Sequence, residues 1–320
     1  MELENPSENK VNLDREQGVD FPTAPKPGRG GGRLLMAWKV FLFLFLAMQI
    51  GPVAIFGIGR GLFGQQRGPF TPQFLLFLEV GNFAVVLGLT ALLSVMEKTP
   101  FGAYGLPWKQ AFRANFWIGF LFGLAEASVL IGLIQIFGGY SFGSMALGGA
   151  EIWRWGLLHL ALFVFVGLYE ESLFRGYPQF RLSTFVGFWP TAIILSVAFG
   201  LVHLGNQGET WVGATSVVLV GLLFAFTLKR SGNLWYAVGL HAGFDWAQSF
   251  LYSVPDSGEL LRGHLSNALL QGPTWLTGGS VGPEGSVFCF LTMGLQFLVV
   301  LWLFPVKKSE GMEESLPVQN

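Results

Sequence analysis

Glu170 and Glu171 are adjacent carboxylates at the end of an otherwise apolar run, LLHLALFVFVGLY, and Arg175 follows one helical turn on. Two later apolar runs each carry one histidine, His203 and His241, and the second adds Asp245. An ionisable side chain inside a bilayer costs ~2.5–3.5 kcal/mol on the insertion scale, so such groups are kept where they serve a function. Carboxylates beside imidazoles suit general acid–base chemistry. Arg175 can hold one glutamate as a carboxylate and leave the other to exchange protons. The chemistry these residue types point to is hydrolysis of a bond within the membrane.

The elements that must carry them are apolar helices. The 320 residues are 52% hydrophobic and only 12% charged, against about 25% charged in a soluble domain. The solvent for most of the surface is therefore lipid. A net charge of −1 offers nothing to a nucleic acid. Cys289 is the single cysteine, which excludes an internal disulfide and a thiolate metal cluster.

Residues 1–33 mix charges without periodicity and end in PKPGRGGGR, the composition of a disordered tail. A transmembrane domain follows over 34–305, and 306–320 forms a second tail. Eight runs are long enough, or nearly so, to cross ~30 Å of hydrocarbon: 34–59, 73–96, 113–137, 153–180, 185–205, 211–228, 233–252 and 286–305. The expected fold is all-α, a polytopic membrane bundle of about eight helices enclosing a catalytic cavity. The stretch 253–285 is polar and Gly-rich and reads as one long outer loop. With cytoplasmic termini, Lys39, Lys98, Lys109, Arg113, Arg175, Arg181, Lys229 and Arg230 fall on the cytoplasmic side, joined by the cations of both tails. Arg60, Arg67, Arg154 and Arg262 fall on the other, the asymmetry of a multi-pass, plasma-membrane-type protein.

Helical spacing sets the faces. Glu171 and Arg175 are i and i+4 and can pair, as can His241 and Asp245, while Phe199 and His203 share a face. Counted from the cytoplasmic helix ends at ~1.5 Å per residue, Glu170 lies ~16 Å deep, His241 ~12 Å and His203 ~21 Å. The groups are expected to meet in a cavity opening toward the cytoplasm. His159, His264, Glu79 and Glu126 belong to no such pattern and read as hydrogen-bonded packing or pairing residues, with a role in shaping the cavity as the alternative for the two glutamates.

Glu170-Glu171-Ser-Leu-Phe-Arg175 resembles the EExxxR motif of the CAAX-protease and bacteriocin-processing (CPBP, or Abi) family. Phe199-Gly-Leu-Val-His203 is similar to its FxxxH motif, and His241-Ala-Gly-Phe-Asp245 to its HxxxN motif, in which Asp also occurs. Tyr104-Gly-Leu-Pro107 is a weaker echo upstream. The resemblance covers about residues 100–252, with its core at 153–252. It implies an intramembrane endopeptidase acting on a membrane-embedded or lipidated substrate, as in the type II CAAX prenyl proteases. It further implies that Glu170, assisted by His203, activates water, while His241 stabilises the oxyanion. Glu171 and Arg175 would form a supporting ion pair. Asp245 departs from asparagine: an ionised aspartate cannot donate to an oxyanion, so it is expected to orient His241 or to become protonated in the cavity.

Glu170, His203 and His241 also make up the His₂Glu set of a catalytic zinc site, although the chain has no HExxH or HxxEH spacing. A glutamate-type hydrolysis that requires no cofactor is therefore the leading expectation, and a zinc-dependent version the alternative. Two further readings are a non-catalytic immunity or scaffold protein and a proton-coupled carrier.

Overall fold

The computed structural model describes residues 31–65 and 70–305. The expected tails at 1–33 and 306–320 thus fall almost wholly outside the described residues. Helix α1 (Gly31–Phe45) runs through a π-helical turn, Leu46–Ile50, into α2 (Gly51–Phe63). Then come α3 (Pro72–Glu97), α4 (Ala114–Ile136), α5 (Ala150–Arg175), α6 (Tyr177–Val186), α7 (Phe188–His203) and α8 (Trp211–Ser231). Helix α9 (Trp235–Trp246) continues as a π-helical turn, Ala247–Leu251. The short α10 (Thr274–Thr277) and the apolar α11 (Val287–Leu303) complete the chain. Helix starts follow local chemistry. The hydroxyls of Thr71, Thr210 and Ser286 accept from backbone N–H groups in the first turns of α3, α8 and α11.

The architecture is all-α. Two-residue strands, β1 (Tyr140–Ser141) and β2 (Leu269–Leu270), pair antiparallel. Five helical stretches are long and apolar enough to cross a bilayer, namely 34–63, α3, α4, the joined α5–α6 and α8. Helices α7 and α11 are apolar but shorter.

Hydrogen bonds define the two ends of the bundle. At one end, Leu234 N–H donates to the Gly105 carbonyl, Trp235 Nε1–H to that of Pro107 and Asn233 Nδ2 to Gln110 Oε1. Glu97 at the end of α3 gathers Lys39, Tyr104, Tyr177 and Arg181 there. At the other end, the β1–β2 pair joins the 137–149 connection to the long 253–286 segment. Ser280 Oγ donates to Gly208 O, which adds the α7–α8 connection to the same end. Arg175 belongs to neither. It is 1% exposed, which removes it from the set of face cations where the sequence count had put it.

Close approach of α4 and α9 positions half of the site. A Cβ at Gly119 or Gly123 would strike the Tyr236 or Leu240 carbonyl, and one at Gly239 or Gly243 would strike that of Phe116 or Phe120. The two small-residue stripes let the backbones meet directly, as small-xxx-small pairs do in membranes. Gly167 of α5 likewise faces the Val238 carbonyl and His241 Cβ, at 3.1 and 3.5 Å from an added Cβ.

Candidate active site

One cavity of about 360 Å³ collects the ionisable residues of the motif segments. Glu170, His203, His241, Asp245 and Phe199 all line it, within walls supplied by Leu162, Phe163, Val217, Val220 and Phe244. Glu171 and Arg175 form its buried support, with Arg175 Nη1 donating to Glu171 Oε1 at 3.2 Å and both side chains at most 1% exposed. The i,i+4 pair expected from spacing is therefore present. The next residue, Gly176, leaves no room for a side chain against the Ser172 carbonyl, and it breaks the helix there.

His241 is the hub. Its Nδ1 lies 3.4 Å from Glu171 Oε1, and its Nε2 lies 3.7 Å from Glu170 Oε2 and 3.4 Å from Asp245 Oδ2. These separations are electrostatic contacts rather than directed hydrogen bonds, since His241 Nδ1 has no hydrogen-bond partner. Glu170 keeps 22% of its side chain exposed, in contrast to the sealed Glu171. The two neighbouring carboxylates thus occupy different environments, one toward the cavity and one against Arg175.

His203 lies at the last residue of α7, and its Nδ1 is 2.8 Å from the Phe199 carbonyl. A carbonyl only accepts, so Nδ1 carries the proton and Nε2 of the neutral ring is an acceptor. The Phe199 ring also packs edge-on against His203 at 4.5 Å, and the Arg175 guanidinium stands over its face at 4.4 Å. Phe199 therefore packs between the FxxxH histidine and the ion pair.

Four participants lie outside the motif segments. Phe224 of α8 stacks on the His241 ring at 5.1 Å and 21°, and lies under Arg175 at 5.6 Å; nothing separates it from the other phenylalanines in apolar runs. Glu79 lines the cavity and interacts electrostatically with Glu170. Its position inside an apolar run was the one available signal, and it reaches the site from α3 against Glu170 of the neighbouring α5. Asp256 and Glu284, in the long connection, also line the cavity and hydrogen-bond to each other. Burial raises both carboxyls above their ordinary values of 3.8 and 4.5. Glu126 lines the cavity too, beside Thr292 and Gln296 of α11. His159 packs as expected, with Nε2 3.0 Å from the Arg262 carbonyl, and His264 bonds the Ser266 carbonyl at 2.8 Å.

The cavity is bordered by the loop end of the bundle. Its lining includes Asn206, Asp256, Ser257 and Glu259 from the connections of the loop end, and none from the connections of the opposite end. Depth counting treats all helices as starting in one plane. Here α9 starts far inside, with Trp235 2% exposed beneath the 101–112 segment, while His203 occupies the loop-end tip of α7.

Glu170 and His241 stand 3.7 Å apart at the wall of the cavity that His203 also lines. Among the described residues no three His, Cys, Asp or Glu side chains are grouped as ligands for a metal ion.

Residues 152–247 match the Rce1-like family model, the type II CAAX prenyl endopeptidases. The matched region contains all three motif segments, so the comparison and the cavity concern the same residues. It supports a CAAX-type intramembrane endopeptidase and an integral membrane location. No curated protein and no solved structure matches the chain.

Proposed function

We propose that this cavity hydrolyses a peptide bond of a membrane-associated substrate, with Glu170 as general base. The observation that carries the reading is a single apolar-walled cavity in which Glu170, His203, His241 and Asp245 meet while Glu171 is held aside by Arg175. Glu170 takes a proton from water, and the oxygen attacks the carbonyl carbon. His203 accepts through Nε2 and orients the same water. His241 donates to the developing oxyanion from Nε2, with Glu171 beside Nδ1 aiming the ring. Collapse of the tetrahedral species breaks the C–N bond, and the proton held by Glu170 passes to the leaving amine. Preorganised donors in a water-poor site are the largest contribution such a centre makes.

Glu170→Ala and His203→Ala are each expected to abolish cleavage of a membrane peptide by purified, folded protein. Retained cleavage in both variants sinks the reading.

A further inference from the structure

The helix that carries His241 and Asp245 does not end freely at the cavity. Asp245 is the penultimate residue of α9, and the π-helical turn Ala247–Leu251 continues directly from that helix. Turns of this kind sit frequently at functional sites. Two side chains of the turn reach into the 253–286 segment. Gln248 Nε2 donates to Glu284 Oε1 at 3.2 Å and to the Pro255 carbonyl at 2.9 Å. Ser249 Oγ donates to Asp256 Oδ2 at 3.1 Å.

The same two acids are also held from the segment itself and from α8. Ser257 N–H donates to Glu284 Oε2 at 3.0 Å, and Ser216 Oγ stands 2.9 Å from the Glu284 carbonyl. Asp256 and Glu284 hydrogen-bond to each other at the cavity wall, and both interact electrostatically with Asp245. An ionised carboxylate only accepts, so the mutual bond exists only while the pair holds a proton. One carboxyl pair thus ties the turn after α9 to the long segment and to α8.

We propose that Asp256 and Glu284 are positioning residues for the hydrolytic centre, a proton-sharing clamp that fixes the last turn of α9 and with it Asp245 and His241. They act through those two side chains rather than on the scissile bond. The proposal rests on the reading of this cavity as the peptidase centre. Groups aimed at the transition state set kcat more than substrate binding, so a loosened clamp lowers kcat and leaves KM in place.

Asp256→Asn and Asp256→Ala separate the shared bond from packing. Asparagine keeps an oxygen for Ser249 and presents an amide N–H to Glu284, whose two oxygens already accept from Gln248 and Ser257. Alanine offers neither. With purified, folded protein and a membrane peptide, Asp256→Ala should lower kcat by about 10²-fold, the effect of a displacement near 1 Å, at unchanged KM. Asp256→Asn should recover most of that loss. Native kcat in Asp256→Ala, an equal loss in both variants, or a loss carried by KM overturns the proposal. Hydrogen–deuterium exchange at the amides of 245–251 reads the clamp without reference to cleavage. Faster exchange in Asp256→Ala with native protection in Asp256→Asn is expected, and unchanged exchange in Asp256→Ala overturns the clamp. Equal cleavage by the native protein and Glu170→Ala sinks the peptidase reading instead, while the exchange still decides whether Asp256 holds the end of α9.

Discussion

Glu170 and Glu171 are neighbours in sequence, yet removing each charge should have opposite consequences. In Glu171→Gln, Arg175 loses the carboxylate 3.2 Å away while remaining 1% exposed. Breaking a buried pair by deleting one partner costs about 3–5 kcal/mol, because the other charge stays buried and uncompensated. At about 2–4 °C per kcal/mol for chains of comparable size, the heat-inactivation midpoint should fall by roughly 6–20 °C. In Glu170→Gln no such partner is stranded, since the side chain is part-exposed to the cavity and its nearest ionic contact is His241 at 3.7 Å. Stability should change by no more than about 1 kcal/mol, while cleavage falls by about 10²–10⁴, the contribution of a general base. Thermal inactivation of purified protein in lipid nanodiscs, read beside peptide cleavage, separates the two. A double variant, Glu171→Leu with Arg175→Met, should recover much of the lost stability, because a well-packed apolar replacement of a buried pair is often neutral. Equal destabilisation by both single glutamine variants, or an unchanged midpoint in Glu171→Gln, would refute this division of roles.

Gly243→Val places methyl groups against the Phe120 carbonyl; overpacking of this kind costs about 1–3 kcal/mol, and a displacement of α9 near 1 Å should lower kcat by about 10², measured by peptide cleavage. The Asp256–Glu284 pair predicts a pH effect. Burial raises both carboxyls, so the folded protein retains a proton that the unfolded chain releases, and this destabilising term is absent below pH 3.8–4.5 and grows as pH rises through the raised values. Asp245, His241 and Glu170 act electrostatically on the pair, and Glu284→Gln should flatten the dependence of the unfolding midpoint on pH; an unchanged slope speaks against a shared proton. Chelator treatment of purified protein should leave peptide cleavage intact, and stoichiometric zinc by elemental analysis with activity lost on chelation would overturn the roles given to Glu170, His203 and His241.

The chain itself determined the solvent, the helical class and the three chemical segments. Few charges in long apolar runs leave a lipid-embedded bundle as the solution, and i,i+4 spacing is a local property of any helix. For that reason Glu171–Arg175, Phe199–His203 and His241–Asp245 were all readable in advance. Tertiary structure decided what depends on how separate helices cross. The stripes Gly119–Gly123 and Gly239–Gly243 press α4 against α9 and set where His241 stands; only the packed bundle brings Phe224 onto that ring and Glu79 toward Glu170. It also decided which way the cavity opens. Residue counting measures depth along one helix, whereas the level at which each helix begins is set by the segments packed over it. The 101–112 segment buries the start of α9, and that contact turns the site toward the end carrying Asp256, Glu259 and Glu284.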